Sequence, residues 1–164
     1  MADALENGAV AAAKEMEAPL QINRKAAHSA NLTDILDADG YLFCAPENLA
    51  GASGAMKEFF DRHYYQAFES SGELGTAGYS ETSLLLGKPF GLAISAGSDG
   101  SGAARQIERI CRGWRLRPIA DTLIERNGLP QTRAAILQEP KRCSEEASER
   151  CRTLGGLLAA SLLL

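Results

Sequence analysis

Two short apolar runs each stop at a stretch of small residues that leads straight into a helical pattern. That repetition constrains the fold more than anything else in the chain. Tyr41-Leu42-Phe43-Cys44-Ala45 stops at Pro46 and passes through a loop, Glu47 to Ser53. A helix is predicted from Ala55 to Tyr65, with Met56, Phe59, Phe60 and His63 on one face. Pro89 to Ser95 then runs into Ala96-Gly97-Ser98-Asp99-Gly100-Ser101-Gly102, and a helix is predicted from Ala103 to Trp114. Apolar runs without polar alternation suit strands covered on both faces. Strand, loop and helix recurring in that order give βαβ units and a parallel sheet, so the fold class is α/β.

The remaining segments fit around this pattern. Ala2 to Met16 is alanine-rich, with Leu5, Ala9, Ala12 and Ala13 at helical spacing, and Pro19 is expected to end the helix. Leu20 to Ala27 reads as a weak strand, because Asn23, Arg24 and Lys25 interrupt its alternation. Asn31 or Thr33 is expected to cap a short helix through Leu36, with Asp39-Gly40 as the turn after it. Pro46 is expected to stop the first clear strand, since it has no N–H for a ladder. Glu69 to Gly87 reads as a long loop, Pro118 to Ile124 as a third strand, and Lys141 to about Leu163 as the last helix. With 164 residues the chain suffices for one core, and a single domain over 1–164 is expected.

Charge and cysteine usage remove several function classes. The net charge is −4, and the arginines between Arg105 and Arg117 alternate with acidic and apolar residues. They read as a solvated helix face, and no nucleic-acid partner is expected. The apolar run Leu154 to Leu164 is interrupted by Gly155, Gly156 and Ser161 and is too short for a bilayer. With no basic region leading an apolar one at the start, a cytoplasmic location and no membrane contact are expected. Cys44, Cys111, Cys143 and Cys151 show no metal-ligand spacing, and His28 and His63 lie far apart, so no metal is expected. Cys44 reads as a small buried hydrophobe; Cys143 and Cys151 are expected to pack inward from the last helix.

In open α/β sheets, ligands sit outside the carboxyl ends of the strands. The candidate site is therefore two loops: Pro46, Glu47, Asn48, Leu49, Ala50 and Gly51, and Ser95, Ala96, Gly97, Ser98, Asp99 and Gly100. Small residues there let a flat ligand approach the backbone. The second loop is neither a dinucleotide fingerprint nor a Walker loop, and no nucleophile elbow exists. Glu47 and Asp99 read either as a carboxylate pair or as solvated loop acids. His63 reads as packed or at the surface, and Trp114 as core or interface. Tyr64, Tyr65 and Tyr79 are the better candidates to stack on an aromatic ligand.

The stretch Ala38-Asp39-Gly40, apolar strand, Pro46, then Ser53-Gly54-Ala55-Met56-Lys57-Glu58-Phe59-Phe60-Asp61-Arg62 resembles the flavodoxin-like family. That family includes flavodoxins and the NAD(P)H-dependent FMN and quinone reductases. Gly87-Lys88-Pro89 leading into a strand, with Ser95 and a glycine-rich loop after it, is similar to the family's next strand. The resemblance covers about Ala2 to Ile124. It implies a three-layer sandwich and FMN as cofactor, with Pro46 to Gly51 against the isoalloxazine ring and Ser95 to Gly100 on its other side. It also implies electron transfer from NAD(P)H to a quinone or flavin acceptor, with no catalytic side chain required. An electron-carrier flavodoxin and a truncated domain that no longer binds flavin are the alternatives, and a homo-oligomer is compatible with any of them.

The sequence departs from the family at its start. Members open with an apolar strand and a hydroxyl-rich turn that holds the FMN phosphate, whereas Met1 here stands directly on a helix. The expected sheet therefore lacks its first strand, leaving a gap beside Tyr41–Ala45. Two resolutions are open: Met1 is an internal methionine of a longer chain, or a short form re-pairs its sheet, with another chain as one possible source of the strand.

Overall fold

The computed structural model describes residues 1–69, 82–126, 132, 134 and 143–164. Helices and strands alternate as α1 (Ala2–Glu15), α2 (Leu32–Leu36), β1 (Tyr41–Asn48), β2 (Gly51–Ala52) and α3 (Gly54–His63). There follow a 3₁₀ turn (Tyr65–Ala67), β3 (Phe68–Glu69), β4 (Thr82–Ser83), β5 (Pro89–Ala96), α4 (Ser101–Gly113), β6 (Arg117–Pro118), β7 (Leu123–Arg126) and α5 (Glu145–Leu163). Tyr79, most of the expected loop Glu69–Gly87 and the expected start of the last helix at Lys141 lie outside the described residues.

β5 is the spine. It pairs in parallel with β1 from Tyr41↔Phe90 to Pro46↔Ser95, and on its other edge with β6 and then β7. Of its eight residues only Ser95 is less than fully buried, as expected of a strand with helices on both faces. α3 and α4 cover one face through Phe43, Phe59, Phe60, Phe90, Ile107 and Trp114. α1 and α5 cover the other through Leu5, Ala93, Leu123, Cys151 and Leu154. The three layers match the expected α/β sandwich. Among the described residues, nothing pairs with the free edge of β1 over Tyr41–Ala45; β2 joins only at Glu47 and Asn48.

α1 closes at Met16 as expected, by a Schellman motif rather than by Pro19 itself: Glu17 adopts φ 52°, and the Glu17 and Ala18 amides donate to the carbonyls of Lys14 and Ala13. Several other boundaries differ from the sequence-based expectation, each for a local reason. Leu20–Ala27 forms no strand; Arg24 is drawn to Asp3 and Glu6 on α1, and Asn23 donates to Asp34. β1 continues through Pro46, which a strand with an open edge tolerates. The single strand expected over Pro118–Ile124 is two short ones, β6 and β7. The predicted cap holds: Asn31 and Asp34 exchange side chain–backbone bonds at 3.0 Å, a full capping box. Lys88, at the entrance to β5, donates to the Leu36 and Ala38 carbonyls at 2.8 and 2.7 Å and fixes where β1 begins.

α1 and α5 touch backbone to backbone. A Cβ at Gly8 would lie 1.9 Å from the Arg152 carbonyl oxygen, and one at Gly155 would lie 1.9 Å from that of Leu5. No side chain fits at either point. At the neighbouring Gly156 the nearest atom to a Cβ is 3.6 Å away, an ordinary contact. Gly155→Ala is therefore expected to lower unfolding free energy by about 2–3 kcal/mol through overpacking. Gly156→Ala should be neutral or stabilising by up to about 1 kcal/mol. Urea denaturation of the two variants checks the contrast.

Candidate functional site

The parallel register of β1 and β5 brings both predicted loops to one end of the sheet. The first is a hairpin rather than an open loop. Glu47 and Asn48 pair with Ala52 and Gly51, and Leu49 and Ala50 make the two-residue turn at φ 51° and 61°. Positive φ at both positions has the handedness of a type I′ turn, normally given to Asn or Gly. Two non-glycine residues there store strain of order 1 kcal/mol or more each, which persists only where surrounding contacts impose it.

Those contacts come from the first turns of α4. The Gly100 amide donates to Glu47 Oε2 at 2.7 Å, and the Ala52 amide donates to Gln106 Oε1 at 2.9 Å. Between them Gly102 lets the hairpin close in: a Cβ there would lie 2.0 Å from the Ala50 carbonyl oxygen. Glu47 is thus a carboxylate clamp at the N-terminus of α4, where helix polarity favours negative charge. Its second oxygen, Oε1, is buried without a hydrogen-bond partner among the described residues.

A cleft of about 270 Å³ opens beside this clamp. Its walls include Cys44, Ala45 and Pro46 from β1, Ser95 from β5, Glu125 and Arg126 from β7, Met1 and Ala2 from α1, and Cys143, Ser144 and Ala147 around the start of α5. A more open depression shares Glu125 and Arg126 with this cleft and is lined also by Asp99, Ser101 and Ile124. Glu125 is held by Arg150 at 2.5 Å, and Arg126 lies 4.0 Å from Asp99. The Asp99 carboxyl is held below its ordinary range by the Ser101 hydroxyl donating to it, assisted by the charges of Arg126 and Arg105.

The twelve predicted residues therefore divide. Pro46 and Ser95 line the cleft and Asp99 the more open depression. Glu47, Ala50 and Gly100 join the hairpin to α4, while Gly51 continues the short strand. Asn48 and Leu49 form the exposed tip, with Leu49 wholly in solvent at 103% relative exposure. Ala96 is buried in β5; Gly97 and Ser98 are exposed at the loop's crest. Glu47 and Asp99 do not act as a pair: the first holds a backbone amide, the second a hydroxyl.

His63 is packed against Phe59 in the core, and Trp114 is fully buried with its indole N–H on the Tyr64 carbonyl. Tyr64 stacks on Trp114 rather than on the site. The arginines of α4 and the turn after it are exposed, as expected of a solvated face. The sequence reading missed Arg126, Glu125 and Gln106. The first two were legible from the rule that strand carboxyl ends line ligand sites, had the third strand been extended past Ile124; nothing in the sequence marks Gln106. Among the described residues, no group of three or more His, Cys, Asp or Glu can hold a metal ion, and no helix is long and apolar enough to cross a membrane.

Parallel sheet, two helical layers and a small-residue cleft at the strands' carboxyl ends define a flavodoxin-like protein. Residues 9–125 match the NADPH-dependent FMN reductase family, and the chain belongs to that family of flavin oxidoreductases. Solved structures share the architecture. An oxidoreductase from Corynebacterium diphtheriae is 18% identical with a TM-score of 0.63, covering 97% of this chain and 85% of that one. A flavodoxin from the domain Archaea is 12% identical with a TM-score of 0.59, covering 98% and 89%. A flavone reductase is 21% identical with a TM-score of 0.56, covering 97% of this chain and 57% of its own. No curated protein matches the chain in sequence.

The clamp makes a measurable prediction. Glu47→Ala should speed amide hydrogen exchange at Gly100 by about tenfold or more, since a bond to a carboxylate contributes about 1.5–3 kcal/mol. Exchange at Phe90, deep in β5, should change far less. An unaltered Gly100 would mean that the loop is held without Glu47.

Proposed function

We propose that the chain is an FMN-dependent oxidoreductase that passes electrons from NAD(P)H to a quinone or flavin acceptor. Family membership supports flavin chemistry at the coarse level, and one observation carries the finer reading. Two strand-end loops are locked to each other by Glu47 and Gly100, beside a cleft of small and apolar residues at the carboxyl ends of β1, β5 and β7.

The residues present fit a flat ring edge-on to the sheet. Ala45, Pro46, Ser95 and Ala147 offer short side chains, so a planar ligand reaches backbone groups directly. At about 270 Å³ the cleft lies just below the usual range for small-molecule sites, enough for the ring portion while the rest of the ligand extends outward. Arg126 supplies positive charge at the rim for a phosphate. Pro46 to Gly51 and Ser95 to Gly100 are the segments assigned to the ring. When bound, FMN supplies the redox chemistry. The protein's part is to hold both loops fixed, keep water off one ring face and leave the other open to a nicotinamide and then to a flat aromatic acceptor. No acid or base is needed from the chain, which accords with Glu47 and Asp99 both being engaged in loop bonds.

Purified chain mixed with excess FMN and freed of unbound flavin should retain about one FMN per chain with quenched fluorescence, and should oxidise NADPH when a quinone is supplied. Ser95→Leu, which fills the cleft, should weaken FMN binding by about tenfold or more while leaving the unfolding midpoint nearly unchanged. A chain that retains no flavin contradicts the reading; one that retains flavin yet turns over only with a separate reductase would be a carrier.

A further inference from the structure

Of four cysteines, two border the same cleft from different elements. Cys44 lies on β1 and is half-buried; Cys143 is exposed one residue ahead of Ser144, the cap of α5. We propose that Cys44 and Cys143 are a redox pair that closes into a disulfide across the cleft when the protein meets a low-molecular-weight disulfide such as oxidised glutathione. That the disulfide would also exclude flavin rests on the reading of this cleft as the flavin site; the disulfide itself does not.

Cys151 shares a core cluster with Cys44 but is fully buried, whereas Cys143 is exposed. Cys151 lies six positions beyond Glu145, the first residue of α5, a rise of about 9 Å, whereas a disulfide needs Cα atoms within about 7 Å. Cys151 and Cys111 are both fully buried, and Cys111 lies in the core on the opposite face of the sheet. A soluble oxidant therefore meets Cys143 first. Because Cys143 precedes the helix cap Ser144, its backbone lies outside the α5 hydrogen-bond ladder. Burial raises the Cys44 thiol above its ordinary range, the Met1 ammonium and Arg24 oppose the rise, and charge on Cys143 adds to it. Both residues line the one cleft, and Cys44, the more buried of the two, is suited to the slower, resolving role.

The exchange balances. The Cys143 thiolate, its proton lost to solvent, attacks one sulfur of oxidised glutathione; the S–S bond breaks, and one glutathione leaves as thiolate and is protonated. The Cys44 thiolate then attacks Cys143 Sγ in the mixed disulfide and displaces the second glutathione, which is protonated in turn. Two protein thiols lose two electrons and two protons, and one glutathione disulfide becomes two thiols.

The full chain, first reduced, is incubated with oxidised glutathione, alkylated, digested and mapped by mass spectrometry. The expected result is a Cys44–Cys143 linked peptide, with Cys111 and Cys151 still alkylatable after unfolding. In Cys143→Ser the link should vanish and Cys44 should stay reduced. A Cys44–Cys151 link, a glutathione adduct that persists on Cys143, or four unreacted thiols would each overturn the pair. FMN titration of reduced and linked protein then reads the second half: about a tenfold or greater loss of affinity is expected on linking. Equal affinity would overturn the exclusion of flavin. Failure of the reduced protein to bind FMN would overturn the flavin reading and leave the thiol pair standing.

Discussion

The six-residue parallel pairing of β1 with β5 is the interaction on which the rest depends. It fixes the two strands in register, so that their carboxyl ends finish side by side and their loops must meet. Because the strands carry apolar residues toward both faces, neither can slip without moving its side chains from one helical layer to the other. The aromatic cluster under α3 and α4 and the Leu5–Leu154 layer under α1 and α5 both lean on that ladder.

Close backbone contact is the second constraint, and it explains where glycine is indispensable. Gly8 and Gly155 let α1 lie directly on α5, which sets the start of α1 beside the carboxyl end of β1. Gly102 does the same for the hairpin against α4. The strained Leu49–Ala50 turn is held from outside by Glu47, Gln106 and the space at Gly102, so the geometry of the site is imposed by tertiary contacts rather than by the turn's own residues. A loop held this way is pre-organised, and a ligand that contacts it has less ordering to offset.

How much of this was legible in the sequence follows from which forces are local. The strands Tyr41–Ala45 and Pro89–Ser95 were clear because buried parallel strands are apolar without alternation, and the Asn31 cap because capping needs only three residues. The end of α1 was legible to within a residue, although a Schellman closure at Glu17, in a conformation usually given to glycine, ends the helix rather than Pro19. Leu20–Ala27 was misread because its polar residues answer to Asp3, Glu6 and Asp34 on other elements. For the site, the choice of two strand-end loops came from topology, which sequence order reveals. The separate duties of Pro46, Glu47 and Leu49, and the presence of Arg126 and Cys143 at the same cleft, depend on packing between distant segments and left no periodic signal.

The central claim is that the loops after β1 and β5 form one flavin-binding surface. Backbone amide NMR of the chain during titration with FMN tests it most directly. The largest shifts are expected within Pro46–Gly51 and Ser95–Gly100, proline excepted, with Arg126 following and Gly113 at the far end of α4 nearly still. Shifts concentrated away from both loops, or none at saturating FMN, would contradict it.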